Sequence, residues 1–100
     1  MKTKSEALET KISSLKKQLT VLGPMRPGSL SKQIRRKDGQ PYGEYWHLSY
    51  TFAGKGHTIY VPTQHLGAIK EEVANFQKFR QLSDKIIELS IDLSTLNLKR

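Results

Sequence analysis

Cysteine is absent from this chain of 100 residues, which excludes disulfide bonds and thiolate metal sites. Long apolar runs are missing too, because no stretch approaches the roughly 18 consecutive apolar residues that a membrane-spanning helix requires. The N-terminal segment contains lysines but no apolar run, so it lacks the features of a signal peptide. We therefore expect a cytoplasmic protein that has no membrane partner.

Acidic residues are scarce compared with basic ones. The chain has 9 Asp and Glu against 17 Lys and Arg, which gives a formal net charge of +8. A positive surplus of this size favours polyanionic partners, nucleic acid before an acidic membrane surface. The alternative is a basic surface that only aids solubility. Hydrophobic residues make up 36% of the chain, which indicates a modest core or a core completed by a partner.

The residue types that carry chemistry are few, and none is arranged as a catalytic or metal site. The histidines His47, His57 and His65 have no cysteine to complete a zinc site and no HExxH spacing. The loop at residues 54–56 lacks the GxxxxGKS/T pattern of a phosphate-binding loop. No serine, histidine and acid are ordered as a nucleophile and its base. We expect a binding protein that uses no cofactor and is not an enzyme.

The first part of the chain has the spacing of an amphipathic helix. Apolar residues recur every three or four positions over residues 3–22, as in a short coiled-coil seam. The seam consists of Leu8, Ile12, Leu15, Leu19 and Leu22. Thr3 and Glu6 have the spacing of a capping box. Two prolines and two glycines within residues 23–28 end the helix and form a linker.

Three segments after the linker, residues 29–36, 44–52 and 57–61, show the alternation of β-strands. Because short turns join them, we predict an antiparallel meander. Alternation in the second strand defines an apolar face, made of Trp46, Leu48, Tyr50 and Phe52. We expect Trp46 to be buried under a helix near Val73 and Phe76. The opposite, polar face consists of Tyr45, His47, Ser49 and Thr51, with Thr58 and Tyr60 from the third strand and Ser31, Gln33 and Arg35 from the first.

Residues 63–98 have helical periodicity throughout, and a helix of this length is either a coiled coil or two helices with a break. Ser83-Asp84 is the expected break, since either residue can cap a new helix. The predicted fold class is α+β, with an N-terminal helix, a three-stranded antiparallel meander and a long C-terminal helix. The predicted organisation is an N-terminal helix at 1–22, a linker at 23–28, the sheet plus helix at 29–82 and a helical extension at 83–100.

Positive charge is concentrated beside the predicted sheet. Residues 26–62 carry six basic and two acidic side chains, a net charge of +4. Arginine can pair with phosphate or guanine through two parallel hydrogen bonds, and the polar sheet face could enter a groove or stack unpaired bases. The alternatives are an edge strand protected by charge and an ordinary solvated face. The predicted nucleic-acid-binding residues, for DNA before RNA, are Arg26, Lys32, Gln33, Arg35, Arg36, Lys37, Tyr45, His47, Lys55 and Tyr60.

The helical seams favour protein–protein contact. The N-terminal helix can pair with the second half of the C-terminal helix in the same chain or with a partner. The apolar stripe of the C-terminal helix is too wide for one narrow helix to bury, so we expect further apolar contacts there. The predicted oligomer interface consists of Leu8, Ile12, Leu15, Leu19, Ile87, Ile91 and Leu93. The partner is a second copy or a larger protein. The alternative function is therefore a protein-interaction module in which the positive charge is incidental.

The run from Gly28 to about Leu89 resembles a family of small uncharacterised prokaryotic proteins often found near transposase genes. The matching features are Gly28-Ser29 before a basic strand, the segments PYGEYWHLSY and GKGHTIYVP, and the helix VANFQKFRQL. Family members often carry a cysteine-containing turn where this chain has KDGQ, so no metal or redox role carries over. The resemblance implies association with mobile elements and no established activity. The order of strands and helix is also similar, at the level of fold alone, to the arm-binding domains of tyrosine recombinases.

Overall fold

The computed structural model describes residues 3–37 and 39–99, and of residues 35–37, 40–42 and 44 it describes only the backbone. The predicted α+β architecture is confirmed. The elements are α1 (Lys4–Leu19), β1 (Ser29–Lys37), β2 (Gln40–Phe52), β3 (Lys55–Val61), a 3-10 turn (Thr63–His65) and α2 (Leu66–Leu98). None of the helices in the described ranges is both long enough and apolar enough to cross a membrane.

The chain divides into two compact units, a helical unit (Met1–Gly23 with Gln77–Arg100) and a sheet unit (Pro24–Phe76). In the helical unit, α1 begins at the predicted cap, where the Thr3 hydroxyl accepts a hydrogen bond of 3.2 Å from the Glu6 backbone N–H. The two helices of this unit run antiparallel. Apolar residues of the two helices lie together in three surface grooves, and their numbers rise along α1 as they fall along α2. The pairs are Leu8 with Leu96, Ile12 with Leu93, and Leu15 with Leu89.

The sheet unit contains an antiparallel sheet in the order β1-β2-β3. Ala53 and Gly54 form the two-residue turn between β2 and β3, and both have positive φ, 54° and 79°, as a type I′ turn requires. The register shifts between Arg35 and Arg36, whose partners are Gly43 and Pro41, so β2 carries one extra residue at this point, as in a bulge. The meander therefore follows from two short connections that allow each strand to pair with its neighbour in sequence.

The core of the sheet unit is formed by Leu48, Val61 and Val73, which are 0%, 2% and 9% exposed. Trp46 packs against this core but is only half-buried, with the Lys70 ammonium 5.2 Å from its ring centroid. The expectation that Trp46 is buried was therefore wrong in degree. Phe52, expected on the buried face, is 69% exposed, because it is the last residue before the turn.

Helix α2 is continuous from Leu66 to Leu98, so the expected break at Ser83-Asp84 does not occur. Serine and aspartate lower helix propensity by less than about 0.7 kcal/mol each, and no proline or glycine follows Gly67. The linker is held against the first part of α2 within the sheet unit. The Arg26 backbone N–H donates to the Glu72 carbonyl at 3.2 Å, and the Asn75 amide donates to the Pro24 carbonyl at 2.9 Å.

Candidate nucleic-acid interface

One face of the sheet is lined by polar and aromatic side chains, and we call it the outer face. The register places Gln33 beside Tyr45 and His47 beside Tyr60. The described side chains of this face belong to Ser29, Ser31, Gln33, Tyr45, His47, Ser49, Thr51, Thr58 and Tyr60, and all of them are exposed or half-buried. The outer face therefore brings together four of the predicted nucleic-acid-binding residues from all three strands.

Three aromatic rings form a cluster on the outer face. The ring of Tyr45 lies 5.8 Å from that of His47 in a T-shaped arrangement and 6.4 Å from that of Tyr60 in a tilted one. Tyr60, on the edge strand β3, is 59% exposed. Because none of these pairs is stacked face to face, the rings do not cover one another as a closed stack would. We call Tyr45, His47 and Tyr60 the aromatic cluster.

Hydrogen bonds set the orientation of the aromatic cluster. The Tyr45 hydroxyl donates to Gln33 Oε1 at 2.7 Å, and Gln33 Nε2 lies 3.2 Å from His47 Nε2. An amide nitrogen can only donate, so His47 Nε2 is the acceptor when this contact is a hydrogen bond. Each end of the Gln33 amide makes one contact within the outer face, which fixes the orientation of the amide.

A shallow depression of about 440 Å³ lies next to the aromatic cluster along the strands. Small and hydroxyl-bearing residues line it, among them Ser29, Ser49, Gly56 and Thr58, together with Tyr50 and His57 from the row of Leu48. The hydroxyls of Ser49 and Thr58 lie 3.4 Å apart across neighbouring strands. Hydroxyls can donate to phosphate or sugar oxygens without carrying charge. The outer face therefore combines an aromatic cluster with a hydroxyl-lined depression.

Two of the predicted basic residues lie on the opposite face of the sheet. Lys32 pairs with Trp46 and Lys55 pairs with Phe52, so both belong to the row of the core residue Leu48. Side chains alternate along a strand, which is why Lys32 and its neighbour Gln33 point to different faces. This separation could have been predicted from the sequence. Arg35, Arg36 and Lys37 belong to β1, but their side chains lie outside the described residues.

Arg26 belongs to a stack that the sequence analysis did not foresee. Its guanidinium carbon lies 4.8 Å above the ring centroid of Tyr50, and Tyr50 stacks on His57 at 4.9 Å. The Arg26 Nε is buried and has no hydrogen-bond partner among the described residues. Tyr50 and His57 share the row of Leu48, so Arg26 packs on the core side as a cation–π partner. No spacing in the sequence indicates this contact, because its members are far apart in the chain.

The predicted oligomer interface divides into two sets of residues. Ile12 is buried, and Leu8, Leu15, Leu19 and Leu93 are half-buried within the helical unit of this chain. On α2, Ile87 and Ile91 are 56% and 60% exposed, and Leu98, also on this helix, is 82% exposed. We call Ile87, Ile91 and Leu98 the apolar stripe. Intrachain pairing therefore accounts for the first set and leaves the apolar stripe uncovered.

No three histidine, aspartate or glutamate side chains in the described part of the chain lie close enough together to hold a metal ion. Comparison of the chain with protein-family models, curated proteins and solved structures finds no match in any of the three. A function therefore has to be inferred from the outer face and from the charge of the chain.

Proposed function

We propose that the protein binds nucleic acid through the outer face of its sheet. The observation that carries this proposal is the aromatic cluster, in which Tyr60 is exposed while Tyr45 and His47 are half-buried. The other described side chains of the outer face end in hydroxyl or amide groups. Aromatic rings and hydrogen-bonding groups on one sheet surface are what nucleic-acid-binding sheets use to contact bases and backbone.

The charge of the chain supports the same proposal. Its surplus of 17 basic over 9 acidic residues favours approach to a polyanion and raises the rate of association. The run Arg35–Lys37 begins two residues after Gln33 in β1, so the backbone carries three basic residues toward the end of the strand that borders the outer face. These residues would neutralise phosphates, while the aromatic cluster contacts bases.

DNA is the partner that we propose before RNA. The sequence resemblance to proteins encoded near transposase genes favours a DNA-related role in a mobile element, by association only. The side chains of the outer face do not distinguish the two sugars by themselves. RNA is therefore included as a competitor in the binding measurements.

The proposal is tested by fluorescence anisotropy with labelled oligonucleotides, both single-stranded and duplex, at increasing salt. We expect affinity to fall steeply with salt, and for a duplex four to six phosphate contacts give a log–log slope of roughly −4 to −5. Tyr60→Ala should weaken binding at least fivefold. The matched control is Phe52→Ala, which removes an equally exposed aromatic ring from the opposite face (69% against 59% exposed) and should bind like the wild type.

Two results would refute the proposal. The first is the absence of binding to any nucleic acid at low salt. The second is equal affinity of Tyr60→Ala and Phe52→Ala for nucleic acid, because the contact would then lie away from the outer face. Circular dichroism of each variant verifies that the fold is retained.

A second candidate function, a protein-interaction module, is favoured by the apolar stripe. Ile87, Ile91 and Leu98 recur at helical spacing and each is more than half exposed. Contiguous exposed apolar side chains on a helix commonly mark a protein interface. In this proposal the stripe binds a second copy or a larger protein such as a transposase. It is compatible with nucleic-acid binding, because the stripe and the outer face consist of different residues.

A further inference from the structure

We infer that the outer face binds unpaired bases of a single strand by stacking and does not read base pairs in the major groove. The inference rests on the proposed nucleic-acid function and specifies the form of its ligand. It concerns the aromatic cluster and the hydroxyl-lined depression beside it.

The outer-face side chains that the structure describes are poorly suited to the major groove. Base edges there are read mainly by Arg, Lys, Asn and Gln through paired hydrogen bonds. Among the described outer-face side chains there is no Arg, Lys or Asn, and the one Gln has both ends of its amide engaged with Tyr45 and His47. Lys32 and Lys55 lie in the opposite row. Bidentate reading by Gln33 would have to proceed from an amide orientation that its contacts with Tyr45 and His47 already constrain.

The same face is well suited to stacking. Every base has a π-face, so an exposed aromatic ring binds unpaired bases of any sequence. Tyr60 is 59% exposed on the edge strand, and its ring is tilted by 40° from Tyr45 with no face-to-face stacking between them. Bases inside a duplex are already stacked on their neighbours and present only their edges to a protein. A single strand therefore offers what the aromatic cluster can bind.

The depression extends the site along the strands. The pair Ser49–Thr58 follows the pair His47–Tyr60 by two residues on each strand, a separation of about 7 Å at roughly 3.3–3.4 Å per residue. A base stacked on Tyr60 thus has hydroxyl donors within the reach of one nucleotide. Ser49 and Thr58 would hydrogen-bond its sugar or phosphate, and Gly56, whose Cβ position meets no atom within 4 Å, leaves room for the backbone.

The experiment compares a labelled 12-residue single strand of deoxythymidine with a hairpin duplex and with the corresponding uridine strand, at one low salt concentration. We expect either single strand to bind at least tenfold more tightly than the hairpin. Tyr60→Ala should weaken single-strand binding by roughly 5- to 150-fold, the usual range for loss of one stacked base. Tyr60→Phe keeps the ring and should bind within about twofold of the wild type. Phe52→Ala is the control for the opposite face.

An abasic strand of the same length separates stacking from charge, because it keeps every phosphate and loses the bases. We expect the abasic strand to bind the wild type as weakly as the deoxythymidine strand binds Tyr60→Ala. If the hairpin bound more tightly than the single strands, and Tyr60→Ala abolished that binding, the single-strand inference would be overturned and the proposed function would stand. Equal binding of the abasic and base-bearing strands would also overturn it. Absence of binding to all of these probes would overturn both.

Discussion

Gly28 is the position at which a single methyl group should damage the sheet unit most. Its φ of +144° lies in a region that L-residues with a side chain rarely adopt, and a Cβ added there would lie 2.6 Å from Leu48 Cδ1 and 2.9 Å from Leu48 Cγ. Leu48 is the fully buried side chain of the core. Gly28→Ala therefore combines backbone strain with a clash against the best-packed residue.

The expected cost follows from these two contributions. An alanine forced into a glycine-only backbone conformation costs about 1–3 kcal/mol, and overpacking a well-packed core costs about another 1–3 kcal/mol. We predict that Gly28→Ala lowers the free energy of unfolding by about 3 kcal/mol. For a domain of this size the midpoint temperature then falls by roughly 12–24 °C.

The measurement is thermal or urea denaturation followed by circular dichroism, with Gly56→Ala as the matched control. A Cβ on Gly56 meets no atom within 4 Å and its φ is not positive, so this variant should be neutral or more stable by about 0.5 kcal/mol. If Gly28→Ala were as stable as Gly56→Ala, the close approach of Gly28 to Leu48 would not hold in solution, and the packing described for the start of β1 would be wrong.

Three further predictions concern the core, a turn and the apolar stripe. Leu48→Ala should lower the free energy of unfolding by about 4 kcal/mol and Trp46→Ala by only about 2 kcal/mol, because Trp46 is half-buried. If urea denaturation gave the reverse order, the assigned core would be contradicted. Ala53→Asn should raise stability by about 0.5–1 kcal/mol, since Asn accepts the positive φ of this turn, and an unchanged or lower melting temperature would argue against the turn. If the apolar stripe joins two copies of the chain, light scattering at micromolar concentration should give twice the chain mass of 11.4 kDa, and Ile91→Ser should reduce the measured mass to that of one chain. A wild-type monomer at all concentrations would rule out the homodimer.

The candidate site was predictable from the sequence where it depends on alternation. The two-residue period of β2 placed Tyr45 and His47 on the face opposite Leu48, and short turns made the neighbouring strands contribute to that face. The same two-residue period in β1 places Lys32 and Gln33 on opposite faces of the sheet. Alternation in β3 also placed Tyr60 on this face, but its pairing with His47 needed the register, because a shift of two residues would have put Tyr60 opposite another residue of the same face.

The sequence by itself determined the order and type of the elements, because hydrophobic period, the Thr3 cap and the turn residues act over a few neighbouring positions. Tertiary structure alone decided how deeply each apolar residue is buried. Phe52 and Leu48 have the same parity in β2, but only Leu48 lies where Val61 and Val73 close around it. Tertiary structure also decided that α1 pairs within its own chain and that Arg26 packs on Tyr50. These outcomes depend on contacts between residues far apart in the chain, whose energies no local pattern encodes.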